Sequence, residues 1–581
     1  MDASKVPLSS SLGVALLILV LYKLLRLVYH VGLARKTGLP YTIVPFLETE
    51  FFAKLLTPLI RPLFTQRLLR GEGWPRWIRY SILDWAWEEK RRVHEELGDV
   101  FIAVSPEGLI CYSADADMSW DVMNRRNEFL KPRDKYKVLE PYGPNVATTE
   151  GKAYNFHVRI TAPPFNDGSG ANDLVWNEAS DQARSLMESW SHKHTTRDLS
   201  LDINRLTLAV IAYTGFGKKL DFKAEVSDLH SKIPPGYNMS LHHALHLVTT
   251  FMVKILLIPR WLMRMTPMRE IAVAHGELEK YMREMIRMET ASLSKDSDYE
   301  SADAKGNLLT SVLRASALEA KAAGRKQAFS EDEVLGNLFL YLLAGYETTA
   351  NAMTYGFITL ALRQDLQDKI MEEVDEVHAQ AAAEGRTSLN YTDDFEKFQY
   401  TYGFMYEVFR LYPGVTIITK MVPKDTFINV YPRNESQRQH VLPAECRVYL
   451  NVNAVHYHER YWHDPWDLVP ERWMGTVGVT PNERPDKKVV ASDKSRQVRG
   501  TLMTFSGGAR ACLGRKFTQS EYISVLATVL REYRIVLGEG MDAGLVKQEI
   551  DNLAAGTVTL APLKYVKLAL KKRTDIDTTC S

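Results

Sequence analysis

Of the four cysteines in this 581-residue chain, Cys512 alone sits in surroundings suited to chemistry. Its segment, FSGGARACLGRKFTQSEYISVLATVLREY, opens glycine-rich at Phe505 and becomes an amphipathic helical pattern that runs to Tyr533. A thiol at such a junction meets the positive end of the helix dipole, which favours the thiolate. Gly508 and Gly514 remove side chains on either side of it, so a flat, bulky ligand can approach the sulfur. Arg510 places a cation two residues away, suited to a carboxylate on that ligand. A cysteine flanked by glycine is most often structural, but the joint pattern Phe505-x-x-Gly508-x-Arg510-x-Cys512-x-Gly514 is far more specific than any one member. Cys111, Cys446 and Cys580 are too scattered to join it in a disulfide framework or a zinc finger. A cysteine that does chemistry here does it alone.

A second constellation lies on a helical stretch. Asn337–Leu362, NLFLYLLAGYETTANAMTYGFITLAL, runs 26 residues with Glu347 as its only charge, and Ser330 and Glu333 before it have capping-box spacing. A helix apolar all round is normally buried core. Core packing does not explain Ala344-Gly345-Tyr346-Glu347-Thr348-Thr349: small residues open a groove, and a carboxylate beside a hydroxyl can relay protons into a dry site. The third is Glu407-x-x-Arg410, whose members face each other on a helix. Exposed, such a pair is worth under about 1 kcal/mol. Pro470-Glu471-Arg472-Trp473 follows in an aromatic, proline-rich stretch, where Arg472 can complete a buried scaffold triad. Of two histidine groups, His242 with His246 lacks a carboxylate or cysteine at ligand spacing, and His456 with His458 and His463 overlaps the aromatic segment before Pro470; both are read as structural.

Together these constellations resemble cytochrome P-450, the haem-thiolate monooxygenases, over nearly the whole chain and in the family's order. The resemblance implies that Cys512 is the axial ligand of haem b iron, that Phe505 packs beside its sulfur and that Arg510 pairs with a haem propionate. Thiolate ligation favours O–O cleavage. Glu347 and Thr348 would deliver protons for the activation of dioxygen, and Glu407, Arg410 and Arg472 would form the structural triad. The chain also departs from the family. Where members carry a tryptophan and an arginine four residues apart on an early helix, it has Tyr154 and Val158, with His157 or Arg159 as substitutes. Lys420 stands where many members have arginine or histidine. The implied activity is insertion of one oxygen atom from O2 into an apolar small molecule. The 64 residues after Phe517 leave no room for a fused flavin domain, so electrons are expected from a separate NADPH-cytochrome P-450 reductase, with cytochrome b5 as an optional second donor. Arg496, Arg499, Arg510, Arg515 and Lys516 would offer that partner a basic patch. The rival classes are a haem-thiolate isomerase or dehydratase, which can do without the acid–hydroxyl pair, and a non-enzymatic haem- or lipid-binding membrane protein. NADPH and oxygen consumption with a reductase separates them from the monooxygenase.

The elements that must position these residues are mainly helical. Polar faces with apolar residues at three- and four-residue spacing mark Glu88–Leu97, Leu174–Trp190, Ile271–Leu293, Gln364–Ala383 and Phe398–Leu411, while strand-like segments such as Arg447–Val455 are short. The fold class expected is mainly α with small β-sheets, the cytochrome P-450 fold preceded by an N-terminal transmembrane helix. Val6–Tyr22 supplies 17 uncharged residues, which just reaches the lower limit for a span. Lys23, Arg26, Arg35 and Lys36 follow the span and only Lys5 precedes it, so the positive-inside rule puts the body in the cytosol, on the endoplasmic reticulum membrane. Phe51–Leu69, broken by Pro58 and Pro62, and Leu247–Met263 read as packed amphipathic helices or as lipid-surface segments. The expected divisions are a signal anchor over 1–36, a membrane-proximal segment over 37–70 and a monooxygenase domain over 71–581. A mean hydropathy of -0.22 excludes a polytopic membrane protein, and 72 basic against 71 acidic residues leave no charge footprint for nucleic acid. The family's pocket elements would fall in Val138–Val146, His243–Met263, Phe339–Leu343, Val415–Ile418 and Ala555–Thr557, whose apolar composition suits a terpenoid or polyketide skeleton.

Overall fold

Long apolar-periodic stretches with few internal breakers make this a mainly helical chain, and the computed structural model describes residues 8–166, 170–191, 198–220, 233–293, 307–322, 328–431, 437–474, 500–554, 559–563 and 565–574. Its residues divide into two compact units that interleave in sequence. One takes Met1–Pro132, Val415–Trp466 and Pro481–Ala511; the other takes Arg133–Gly414, Asp467–Thr480 and Cys512–Ser581.

The first unit holds α1 (Leu8–Thr37), α2 (Phe51–Leu69), α3 (Ala116–Asn124) and strands β1 (Tyr41–Ile43), β2 (Val100–Ser105), β3 (Gly108–Ser113), β4 (Ile417–Met421), β5 (Thr426–Val430), β6 (Arg438–Leu442) and β7 (Arg447–Asn451). Five strands form one sheet in the order β1-β2-β3-β7-β4, and β5 pairs with β6. The helix α1 continues through Lys23 and Arg26 because those side chains find partners: Lys23 pairs with the Glu107 carboxylate, and Arg26 donates to the Glu107 carbonyl at 3.3 Å. Further along, His30 Nδ1 donates to the Ser105 carbonyl at 2.9 Å, which seats this half of the helix on the sheet. Within Gly13–Thr37 mean hydropathy reaches 2.0 and only 6% is buried, as befits an apolar helix long enough to cross a membrane.

Phe51–Leu69 is one helix, as expected, and Pro58 and Pro62 lie inside it without ending it. The bonds they forgo belong to the carbonyls of Lys54 and Pro58, both on the exposed side of the helix where water can serve them. That side also carries exposed Phe52, Leu55, Leu59 and Leu63. The expected helix Glu88–Leu97 is two short helices, Trp85–Glu89 and Arg92–Leu97, because Lys90 takes φ +50°. The expected strand Arg447–Val455 stops at Asn451, whose side chain accepts from the Ala454 amide at 3.1 Å and caps a short helix, Val452–His456.

The second unit holds α4 (Gly151–Thr161), α5 (Ala171–Ser191), α6 (Leu199–Phe216), α7 (Leu241–Thr250), α8 (Arg269–Leu293), α9 (Leu308–Ala322), α10 (Glu331–Leu362), α11 (Gln364–Ala383), α12 (Gln399–Leu411), α13 (Arg515–Glu532) and α14 (Ala543–Asn552), with β8 (Tyr533–Leu537) and β9 (Leu568–Lys572) antiparallel. The spine is α10, closed at its start by the full capping box of Ser330 and Glu333. Gly345 lets α6 come close, since a Cβ there would lie 2.8 Å from Ile211. Ser520 and Ser524 of α13 donate to the carbonyls of Asn172 and Trp176 at 2.9 and 2.7 Å and fasten α13 to α5. Val253, Leu256, Leu257, Trp261 and Leu262 lie on short helices after α7, and Met265 just beyond them, with their side chains exposed.

Candidate active site

Cys512 stands two residues before Gly514, the N-cap residue of α13. Its side chain presents accessible surface, yet surrounding protein desolvates the thiol and pushes its pKa up, against the Gly514 amide and the Arg515 charge. The sulfur is thus reachable while the protein around it disfavours its charged form. The helix end therefore pulls toward the thiolate, as the sequence suggests, but desolvation outweighs it. A thiolate here calls for a bound cation to hold it. At Gly514 a Cβ would meet nothing within 4 Å, so the space beside the sulfur is open.

Gly508 has another reason to be glycine than the one its spacing suggests. Its φ is +63°, and a Cβ would come 2.6 Å from the Met123 carbonyl of α3. Close backbone contact already excludes a side chain there. Phe505 and Arg510 are both half-buried, Arg510 in a single turn at Gly508–Arg510. Arg496 and Arg499 lie outside the described residues, as do Ala555–Thr557.

On α10 the middle of an otherwise buried helix opens. Ala344 is exposed, and Leu340 and Thr348, one turn before and after it, are half-buried on the same face. Thr348 Oγ1 donates to the Ala344 carbonyl at 2.7 Å, while Glu347 Oε1 accepts from Thr559 Oγ1 at 3.1 Å. Acid and hydroxyl are neighbours in sequence with separate hydrogen-bond partners. Asn351 Nδ2 donates to the same Thr559 Oγ1 at 2.8 Å. Thr349 and Thr518 hydroxyls meet at 3.3 Å and tie α10 to the first turn of α13, just after Cys512.

Glu407, Arg410 and Arg472 are brought together. Arg410 Nε and Nη2 donate to Glu407 Oε1 and Oε2, each at 2.8 Å, and Arg472 Nε lies 3.4 Å from Oε2. Sequence reasoning missed two further donors to this carboxylate, Trp473 Nε1 at 2.9 Å and the Val469 amide at 2.9 Å. Trp473 stands beside Arg472 in the same motif, so its indole was the available signal.

The propionate side expected at Tyr154, His157 and Lys420 needs correction at His157. Nε2 faces Glu333 Oε1 at 3.2 Å and Nδ1 faces Asn337 Nδ2 at 3.1 Å, so both ring nitrogens are engaged where α4 meets the start of α10. Burial lowers the pKa of His157 against the pull of Glu333. Arg159, the other substitute, pairs with Glu319 at 3.1 Å. Tyr154 is buried on α4 and Lys420 is buried in β4. Among the histidines, His242 is pushed down to about 3 by desolvation, with Arg205 adding to the effect, and His456 Nε2 accepts from the Met503 amide at 2.9 Å. Among the described residues no group of three or more His, Cys, Asp or Glu is placed to hold a metal ion.

An open sulfur, an empty margin at Gly514 and an accessible apolar stripe at Leu340 and Ala344 fit a flat, largely apolar cofactor held through one thiolate. Comparison with known proteins agrees. Residues 77–559 match the family model described as cytochrome P-450. The chain is 87% identical over 578 residues to cytochrome P-450 monooxygenase ORF6 of Penicillium roqueforti and, equally, to cytochrome P-450 monooxygenase prx9 of Penicillium rubens, with 100% of each chain covered. Among solved structures, a cytochrome P-450DA haem domain superposes with a TM-score of 0.63 at 18% identity, covering 84% of this chain and 92% of that one. The protein is thus an enzyme of the monooxygenase class whose cofactor is haem b, and the chain belongs to the cytochrome P-450 family.

Proposed function

We propose that Cys512 is the axial ligand of the haem and that the enzyme oxidises an apolar small molecule, a terpenoid or polyketide skeleton, with electrons from a separate NADPH-cytochrome P-450 reductase. The observation that carries this reading is the accessible Cys512 sulfur in a desolvated setting at the start of α13. When bound, the haem supplies the iron that activates dioxygen. The chain's own residues do the rest. Surrounding protein desolvates the Cys512 thiol; Leu340 and Ala344 offer apolar surface to a substrate; Glu347 and Thr348 hold and move protons. Phe505, Gly508, Arg510, Gly514, Tyr154 and Lys420 are assigned to the cofactor's surroundings by their motif positions, and Glu407, Arg410 and Arg472 to the scaffold. Residues 1–36 serve as the anchor, 37–70 as the membrane-proximal segment and 71–581 as the monooxygenase domain, cytosolic on the endoplasmic reticulum. The apolar helix α1 and the exposed apolar side chains of α2 support contact with lipid. Arg515 and Lys516, at the start of α13, belong to the surface offered to the reductase, with cytochrome b5 as an optional second donor.

The test is Thr348→Val, which keeps the volume and removes the hydroxyl. With reductase and NADPH, protons that arrive late or at the wrong atom release hydrogen peroxide, which uses one NADPH per O2; full reduction to water uses two. The ratio of product to peroxide should fall about ten- to a hundred-fold, as expected when one hydroxyl in a dry site alters a barrier by about 1.5–3 kcal/mol. An unaltered ratio would remove the assignment of Thr348 to proton delivery.

A further inference from the structure

We propose that Thr559 and Asn351 are positioning residues for Glu347, an inference that rests on the reading of Glu347 as the proton-handling acid. The two residues come from distant parts of the chain. Asn351 lies one turn after Glu347 on α10, and Thr559 is 212 residues away in the C-terminal segment. Both are buried, and the neighbour of Thr559 is pinned: the Leu560 amide donates to the Gly414 carbonyl at 2.9 Å. Backbone, not side-chain packing alone, therefore sets where the Thr559 hydroxyl sits.

The direction of the hydrogen bonds follows from what each group can do. An ionised carboxylate only accepts, so the Thr559 hydroxyl must give its one proton to Glu347 Oε1, at 3.1 Å. Asn351 must then present its NH2 rather than its carbonyl, and its Nδ2 lies 2.8 Å from Thr559 Oγ1. The chain reads Asn351 to Thr559 to Glu347, with the one hydroxyl proton of Thr559 spent on the carboxylate. An amide N–H does not hand on its proton at neutral pH, so this is not a proton wire. It is an orienting device: it fixes one oxygen of a side chain with three rotatable bonds, which otherwise loses its aim through rotamer entropy.

The experiment uses the full-length holoenzyme with an NADPH-dependent reductase and compares Thr559→Val, Thr559→Ser, Glu347→Leu and the double variant Thr559→Val/Glu347→Leu with the parent. Peroxide released per NADPH should rise about three-fold or more in Thr559→Val, and Thr559→Ser, which restores the hydroxyl without the methyl group, should return it to near the parent value. Thermal unfolding gives a readout independent of turnover. The melting-temperature losses of Thr559→Val and Glu347→Leu should combine to less than their sum, by about 1–2 °C, because each single change already breaks the shared bond. If Glu347→Leu releases peroxide but Thr559→Val does not, and the two losses simply add, the positioning role is overturned while the acid stands. A rise in Thr559→Ser as large as in Thr559→Val would also overturn it. A Glu347→Leu enzyme with parental peroxide yield would overturn the acid reading itself, and the positioning role with it.

Discussion

In the Cys512→Ser variant, the reduced, carbon-monoxide-bound protein is expected to lose the red-shifted Soret band that marks a thiolate ligand, and turnover should fall to background. A serine hydroxyl is not ionised at neutral pH. The site cannot compensate, because burial already pushes even the more acidic thiol up in pKa, and only the Gly514 amide and Arg515 oppose it. No other described cysteine can take over. Cys111 and Cys446 are fully buried in the first unit, with pKa values raised by desolvation, Cys446 to about 12. The measurement is the difference spectrum of the carbon-monoxide complex. An unchanged band in the variant would show that another residue holds the iron and would end the present assignment.

The cysteine loop and the Glu407–Arg410–Arg472 cluster were readable in sequence because their chemistry is compressed into short spacings: a few residues around one thiol, one helical turn, and one aromatic motif. Long helices were readable for the same reason, and α11 begins and ends where its periodicity does. What escaped lies in contacts that no local pattern records. Thr559 has no motif, and only the folded chain carries it across 212 residues to Glu347. Gly508 reads in sequence as a ligand-facing glycine, and the fold adds a reason no spacing records: the Met123 carbonyl occupies the place its side chain would need. His157 looked available, yet Glu333 and Asn337 of α10 take both nitrogens. The prolines of α2 interrupt its apolar pattern but not its helix, since an exposed helix side lets water take over the lost bonds.

The Glu407 network should give the largest loss of stability of any change outside the cysteine loop. Glu407 and Arg410 are wholly buried, and the carboxylate receives both Arg410 donors, the Trp473 indole, the Val469 amide and Arg472. Arg410 Nη2 also donates to the Asp467 carbonyl at 2.7 Å, so the pair fastens α12 to the segment that leads into the Pro470–Trp473 turn. Removing one partner strands the other as an uncompensated buried charge, at a cost of about 3–5 kcal/mol. Glu407→Gln should be nearly as damaging as Glu407→Ala, because its NH2 group must face guanidinium, indole or amide donors with nothing to accept it. Arg410→Lys keeps the charge but loses the two-pronged geometry, and should also destabilise. The double variant Glu407→Leu/Arg410→Leu separates charge from scaffold. It removes both buried charges and should unfold at a higher temperature than either single leucine variant. It should still fall short of the parent, because the Trp473 indole, the Val469 amide and the Asp467 carbonyl lose their partners. Thermal unfolding and haem retention of these variants in detergent make the measurement. A Glu407→Gln protein that unfolds at the parental temperature would show that hydrogen-bond geometry around this carboxylate contributes little, and that the aromatic packing of Tyr406 against Trp473, with ring centroids 5.0 Å apart, holds this junction instead.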